Sequence, residues 1–513
     1  MPTFVLDGHE LEFEPGDTII QAAHRAGIDI PHYCWHPGLS APANCRMCLV
    51  ELVPPVGRSP LLLDVLRWDP DRQQYVPEKK PKLVPACQQP LAPGMEVRSQ
   101  SSEHVRRARA AVQELLLLNH PVDCPICDQA GECRLQDYWL EHQGTLKRMR
   151  DEIVHKPKAV PFGPTIVYDA ERCIVCTRCI RVSDELAKDP ILSLRERGNL
   201  TEVVLSPDRR LDHPYSLMTE YVCPVGALTA VDFRFKARVW FLRSVRTICP
   251  GCATGCNAFL DYDPRTQRVF RHRPRQNLRV NRYWMCDEGM LSYRRVHSGR
   301  VLEARVGGKA TTLDRALGAA AARLGGSDQA RLAVILSPQH SNEDNQALFA
   351  LARGALGAGQ LFMGGRGPGE GDEILRHTDK NPNTAGVMGL FGDGHPEPIT
   401  GFVPAVDARR ITRALVLGSE VPNLELAAAL GQLETLVVLG THQGSLVERA
   451  SVVLPVSTWA ESEGTFVNAQ GLAQKSERAI RPIEPSLPAR QMVDALRGAL
   501  DHATTARSAG AGP

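Results

Sequence analysis

No run of about 18 consecutive apolar residues, the length a membrane-crossing helix needs, occurs in the 513 residues of this chain. The opening MPTFVLDGHE lacks the basic start and apolar stretch of an export signal. The sequence therefore predicts a cytosolic chain whose membrane role, if it has one, runs through partners. Excess charge is missing too: a net charge of +2 gives no strong field toward nucleic acid or an anionic membrane. No Ser-His-Asp, Cys-His or phosphate-loop constellation stands out. Cysteine is absent from the last 227 residues, although 15 cysteines lie between Cys34 and Cys286. In a reducing compartment these thiols are not expected to pair as disulfides, and their odd number argues against complete pairing. The N-terminal half is a ligand-rich device, and the C-terminal half is something else. At ~100–200 residues per domain, the length predicts three to five domains.

The chain begins TFVLDGHELEFE, two short strands around Asp7-Gly8, a good hairpin turn. TIIQAAHRAGI then predicts a helix capped by Asp17 or Thr18 and stopped at Gly27. Hairpin followed by helix is how a β-grasp ferredoxin starts. Cys34, Cys45 and Cys48 follow in one loop, with Cys87 after 38 more residues. Three ligands in a loop and a distant fourth is the plant-type [2Fe-2S] arrangement, with a longer first gap than usual. Gly38, Ala41, Ala43 and Asn44 are small, so backbone N–H groups can approach the sulfurs. A four-thiolate zinc site is the alternative.

SSEHVRRARAAVQELLLLN, residues 101–119, predicts a helix capped by Ser101 or Ser102, with Val105, Ala108, Val112, Leu115 and Leu116 on one face. It leads into His120, Cys124, Cys127 and Cys133. A lone histidine is usually ordinary, but this one precedes a Cys-x2-Cys in a group otherwise one ligand short. Three thiolates and one imidazole complete a [4Fe-4S] site, and the neutral imidazole should raise its potential. Zinc held by three thiolates and an imidazole stays open.

Cys173, Cys176 and Cys179 are spaced to wrap one face of a cubane, and zinc sites seldom use three thiolates in such a run. No fourth cysteine follows closely, so Cys223, in Cys223-Pro224-Val225-Gly226, is the candidate fourth ligand. Cys249, Cys252 and Cys256, with Cys286 after 29 residues, make the last quartet. All 15 cysteines and His120 are then used with none left over. The partition predicts one [2Fe-2S] and three [4Fe-4S] clusters.

From about residue 298 the composition turns to Ala, Leu and Gly. A helix is predicted from Leu313 to Leu324, and apolar strands at Leu332–Leu336, Ala414–Gly418 and Leu436–Gly440, with helices at 342–353 and 423–433 between them. Alternating strand and helix predicts a parallel sheet with helices on both faces. Gly364–Gly371 reads as a loop, since it does not match G-x-G-x-x-G. The tail TTARSAGAGP is expected to be disordered. His377, His395 and His442 have no ligand spacing and are expected to be ordinary surface or core histidines.

The four ligand sets in this order resemble the large iron–sulfur subunits (75-kDa type) of bacterial NADH:quinone oxidoreductases, respiratory complex I. The resemblance implies an α/β multidomain chain: a β-grasp [2Fe-2S] ferredoxin domain at 1–98, a His-ligated [4Fe-4S] segment at 99–145 and a ferredoxin-like [4Fe-4S] domain at 146–240. A molybdopterin-oxidoreductase-type [4Fe-4S] domain at 241–297 and a shortened parallel-sheet α/β domain of the same superfamily at 298–513 would follow. Ser457-Thr458-Trp459-Ala460-Glu461, Gly464-Thr465-Phe466, Asn468 and Gly471 match a loop of that superfamily. No cysteine follows Cys286 to ligate molybdenum, so molybdopterin is expected to be absent.

By resemblance the chain relays electrons and binds neither NAD nor quinone. They would enter through the binuclear cluster from a flavin/NADH-binding subunit and pass to the ferredoxin-like cluster, then the His-ligated one. From there they would leave through ferredoxin-like and quinone-side peripheral subunits, with the Cys249–Cys286 cluster off the route. The chain would sit peripherally on the cytoplasmic side of a bacterial inner membrane and contact the membrane arm only indirectly. A catalytic molybdenum or tungsten subunit, such as an NAD-linked formate dehydrogenase, is the second reading, and a zinc-stapled scaffold the third. The diaphorase small subunit of NAD-reducing hydrogenases resembles only the first ~240 residues.

Overall fold

The structure is a computed structural model that describes residues 1–54, 59–145, 148–326, 328–392 and 394–509. The chain divides into two compact units, Met1–Val239 and Trp240–Pro513.

In the first unit the chain opens as the hydrophobic alternation dictates. Strands Thr3–Leu6 and His9–Glu12 pair antiparallel about Asp7 (φ 50) and Gly8 (φ 87), whose positive angles suit a tight hairpin turn. Helix Ile19–Arg25 follows, with a capping box between Thr18 and Gln21. Gly27 (φ 76) ends it in the left-handed region that glycine enters without a Cβ penalty. Strands Leu49–Val53, Leu83–Pro85 and Glu96–Arg98 complete a five-stranded sheet. In strand-sequence terms its order is second, first, fifth, third, fourth, with the first and fifth strands parallel. Ile19, Ile20, Ala22 and Ala23 of the helix share a core with Phe4, Val50 and Val97. Cys48 and Cys87 belong to the same core, so the first cysteine group is built into the sheet's own packing. A two-stranded ribbon, Leu62–Asp69 with Gln74–Pro81, stands between the third and fourth strands in the chain. Its formation is not among the expectations drawn from the sequence.

Helix Glu103–Leu117 is capped by Ser102, whose Oγ accepts from the Val105 N–H at 3.3 Å. Its buried line is Val105, Arg109 and Gln113, rather than the expected Val105, Ala108, Val112, Leu115 and Leu116, and Leu115 is 66% exposed. Polar partners decide the rotation. Arg109 donates to the Leu49 carbonyl and Ser99 Oγ, while Gln113 accepts from the Tyr33 hydroxyl and donates to the Leu135 carbonyl. Further on, Ile166–Tyr168 lies between Val160–Pro161 and Leu228–Ala230 in a three-stranded antiparallel sheet.

The second unit begins with the antiparallel strands Arg243–Ile248, Asn257–Asp263 and Arg268–Pro274. A seven-stranded sheet follows, in the order Lys309–Thr311, Ala304–Val306, Val452–Pro455, Thr435–Gly440, Arg413–Leu417, Leu332–Leu336 and Gln360–Met363. Its last five strands are mutually parallel. Successive residues serve opposite faces. Val334, Leu336, Leu415 and Val437 pack with helices Leu313–Leu324, Asn342–Arg353 and Ala489–Ala509. Ala333, Ile335, Val416 and Val438 pack with Phe402–Asp407, Leu424–Gly431 and Ser445–Arg449. Burial on both faces is why these strands read as continuous apolar runs. Gly364–Gly371 has no regular structure, as expected. The expected disordered tail is corrected in part: helix Ala489–Ala509 runs through residues 504–509, carried by the buried Met492, Val493 and Leu496. Residues 510–513 lie outside the described residues.

Candidate metal centres

All 15 cysteines are free thiols, and the fold gathers them into four groups. In the first, Cys34, Cys48 and Cys87 are buried and Cys45 half-buried. Ala43 and Arg46 take positive φ in this loop, and Cys34 lies beside Cys45 and Cys48 beside Cys87. The closeness of the two thiols holds one member of each pair, Cys45 and Cys87, below the usual thiol range and, with burial, pushes its partner up.

His120, Cys124, Cys127 and Cys133 line one cavity of about 550 Å³, walled by Leu117, Val122 and Leu140. Burial pushes the His120 imidazole down to about 4, so at neutral pH it is uncharged and keeps a lone pair for a metal. Gly226, which is in the Cys223 loop, lines the same cavity. A Cβ at Gly226 would lie 2.4 Å from Cys127 Sγ, so only glycine lets that loop close on the histidine-containing group.

Cys173, Cys176, Cys179 and Cys223 line a small cavity with Tyr168 and Val203. Val175 (φ 53) and Thr177 (φ 63) wind the first three around it, and Cys179 lies on helix Arg178–Arg181. Burial pushes Cys173 and Cys176 up to about 11 and Cys223 up to about 12.

In the second unit, Cys249, Cys252, Cys256 and Cys286 lie close enough for their charges to act on one another. The Cys249 N–H donates to the Cys256 carbonyl at 2.8 Å, and Cys286 caps helix Asp287–Leu291 by accepting from the Gly289 N–H. A Cβ at Gly289 would sit 3.0 Å from Cys249 Sγ. The Ser457–Gly471 loop braces this group: Asn468 Nδ2 donates to the Thr254 carbonyl at 3.2 Å, and the Ala469 N–H to the Ala253 carbonyl at 2.8 Å. The sequence suggested the loop's lineage but not this contact.

Among the described residues, no three His, Cys, Asp or Glu side chains close on a point as they would around one ion. The thiols of the second and third groups line cavities, and burial disfavours the thiolate form of most of the cysteines. A donor set of soft sulfurs that needs a delocalised positive core to ionise fits an iron–sulfur cluster.

The second unit also holds a polar cavity of about 180 Å³ at the C-terminal ends of its parallel strands, lined by Ser337, His340, Ser419, Thr441, His442 and Ser457 and reaching Gly251 and Glu288 of the last cysteine group. Its two arginines, Arg295 and Arg366, both pair with Glu420. His377 and His395 do not line it, whereas His442 bonds Thr441 and the Arg295 carbonyl.

Comparison with known proteins matches these regions one by one. Residues 1–102 match the family of 2Fe-2S iron-sulfur cluster binding domains, and 109–145 the NADH-ubiquinone oxidoreductase-G iron-sulfur binding region. Residues 163–229 match the ferredoxin-like domain of NADH-quinone oxidoreductase subunit 3. Residues 242–298 match the molybdopterin oxidoreductase Fe4S4 domain, and 408–496 molybdopterin oxidoreductase. The chain thus carries [2Fe-2S]- and [4Fe-4S]-binding domains and a molybdopterin-oxidoreductase-like domain, in a mixed α/β architecture. Curated relatives include the G subunit of NADH-quinone oxidoreductase from Mycobacterium tuberculosis, 35% identical over 57% of this chain and 33% of the relative, and that from Rickettsia bellii, 37% identical over 57% and 39%. The mitochondrial NADH-ubiquinone oxidoreductase 78 kDa subunit of Neurospora crassa is 37% identical over 55% and 34%. The chain thus spans between a third and two fifths of the length of these relatives. Among solved structures, a chain of an NAD+-reducing [NiFe]-hydrogenase shares 28% identity over 46% of this chain and 91% of its own, with a TM-score of 0.38.

Proposed function

We propose that this chain is the electron-relay subunit of an NADH:quinone oxidoreductase, with five segments bounded at residues 98, 145, 240 and 297. Cys34, Cys45, Cys48 and Cys87 would hold a [2Fe-2S] cluster. His120, Cys124, Cys127 and Cys133; Cys173, Cys176, Cys179 and Cys223; and Cys249, Cys252, Cys256 and Cys286 would each hold a [4Fe-4S] cluster. The observation that carries the reading is the meeting of His120 with three cysteines in one cavity, in a segment whose relatives are named for NADH–quinone oxidoreduction. When bound, the clusters supply one-electron redox chemistry. The chain's own residues hold them, exclude water and set the surrounding charge. The partners would be a flavin/NADH-binding subunit and the ferredoxin-like and quinone-side subunits of a peripheral arm, on the cytoplasmic side of a bacterial membrane. Among the described residues no helix is long and apolar enough to cross a membrane.

A second reading, a catalytic molybdenum subunit, is favoured by the polar cavity at the strand ends, where doubly wound sheets place ligands. Against it, Glu420 already pairs with both of the cavity's arginines, and no cysteine follows Cys286. Metal and sulfide analysis of anaerobically purified complex tests both. About 14 iron atoms per chain, as one binuclear and three tetranuclear clusters require, with neither molybdenum nor zinc, is the expected result. Stoichiometric zinc with little iron overturns the relay, and stoichiometric molybdenum with pterin replaces it by the second reading.

A further inference from the structure

Arg178 and Arg181 lie within and just after the Cys173–Cys179 run, yet their hydrogen bonds leave it. Arg178 donates to the Trp35 carbonyl and, at 3.2 Å, to the Val222 carbonyl. Arg181 donates at 2.5 Å to the carbonyls of Cys34 and Ser40, and at 3.4 Å to that of Cys176. Each guanidinium thus touches the loop of the first cysteine group and that of the third. Asn44 adds a bond to the Val175 carbonyl at 3.3 Å.

Both arginines are 8% exposed. Among the described residues neither makes an ion pair with a carboxylate, and the Nε–H of each finds no acceptor. A buried cation without an anion is strongly unfavourable unless charge of the opposite sign is close by. A carboxylate, that of Glu185, reaches the same loop but is taken up by the Ser40 N–H and hydroxyl and bonds neither arginine. The guanidiniums sit instead on the backbone of cysteines of both groups and their neighbours. Burial pushes the Arg178 guanidinium down, and charge on Cys176, Cys34 and Cys45, members of both groups, opposes that.

We propose that Arg178 and Arg181 form a shared electrostatic bridge between the Cys34–Cys87 and Cys173–Cys223 groups, holding the two loops in register and favouring the reduced state at both centres. The proposal rests on the cluster reading, because the negative charge the arginines answer is that of thiolate-ligated clusters. When one electron moves between the two centres, one is oxidised and the other reduced by the same electron. The guanidiniums stay protonated on both sides of the step, so no proton need accompany it.

The test is a dithionite redox titration of the purified complex, followed by electron paramagnetic resonance, in wild type, Arg178→Gln, Arg181→Gln and the corresponding lysine variants. Each glutamine variant should weaken the reduction equilibrium of both centres at least tenfold, about 59 mV for one electron. The centre at His120 should not move. Lysine keeps the charge and should restore both potentials. Iron-loaded glutamine variants with unchanged potentials, or a shift at one centre only, overturn the bridge. If the glutamine variants lose iron, its distribution decides: loss from both bridged groups, prevented by lysine, supports the bridge, and loss confined to the Cys173–Cys223 group overturns it. Failure of the cluster reading itself would show separately, as a wild-type complex without iron to titrate.

Discussion

Asp123 and Arg172, each the residue immediately before the first cysteine of its group, form a two-pronged ion pair, with Nε to Oδ1 at 3.1 Å and Nη2 to Oδ2 at 2.6 Å. The pair ties the loop of Cys124 to the loop of Cys173 across 49 residues of sequence. A second tie runs beside it, where the Arg134 N–H donates to the Pro224 carbonyl at 3.1 Å. The second and third cysteine groups are therefore built as one junction.

Removing Arg172 should be costly, because it is buried and answers both Asp123 and Asp169, which would be left with the part-exposed Lys158 as their ion-pair partner. Arg172→Met is expected to destabilise the first unit by about 3–5 kcal/mol, with Asp123→Asn/Arg172→Met losing less than the sum of the two single changes. Chemical denaturation of the four members of the cycle measures it, and additive losses would show that the pair is not coupled.

Gly226 belongs by sequence to the Cys223 loop, but a methyl there would strike Cys127. Gly226→Ala should therefore remove the His120-group cluster, about four iron atoms, as His120→Ala should. His377→Ala, a change at an exposed loop position, should keep full iron. Iron content and the resonance of each centre report this directly. Full iron in His120→Ala, with normal NADH:quinone activity, would remove His120 from the ligands.

Cys286→Ser should harm assembly more than turnover. Cys286 closes the loop that begins after Cys256 and caps the helix behind it, so its loss frees a long segment at an entropic cost. Activity per assembled complex should stay near wild type if this centre stands off the main electron route. Complete assembly with nearly all NADH oxidation lost would make it an obligatory carrier, as in a molybdenum enzyme.

Acid stability should depend on Asp261. Burial pushes its carboxyl up, but the guanidiniums of Arg273 and Arg271, each with a 2.6 Å contact, outweigh burial and hold it below the usual carboxylate range. A carboxyl whose folded value is depressed contributes stability above its unfolded value, near 3.8. That contribution is lost as pH falls through the folded one. The stability gap between wild type and Asp261→Asn should thus be full at pH 7 and begin to narrow only below about pH 4. Thermal melts from neutral pH down into that acid range measure it, and a gap that does not narrow at all as pH falls below about 4 would place the stabilisation elsewhere.

Local chemistry made much of this protein legible in one dimension. The Asp7-Gly8 turn, the Thr18 cap, the Gly27 stop and the strand Leu332–Leu336 follow from short-range backbone rules and apolar runs. The candidate ligands were visible because cysteines a few residues apart share a loop whatever surrounds them. Long-range pairing decided the rest. Polar partners on Leu49, Ser99 and Tyr33 turned helix Glu103–Leu117 to bury Arg109 and Gln113, against its apolar pattern. Short strands such as Gln360–Met363 and Val452–Pro455 exist through their neighbours in the sheet. Packing against the sheet likewise carried the last helix into a segment whose composition reads as loose. Only the tertiary structure could show that Gly226 serves the Cys127 group, that Asp123 meets Arg172, and that Arg178 and Arg181 reach the carbonyls of Trp35 and Cys34. These contacts join residues about 50 to 150 positions apart. Sequence spacing carries no trace of them, because chain closure over such lengths is set by the whole packed core and not by any local preference.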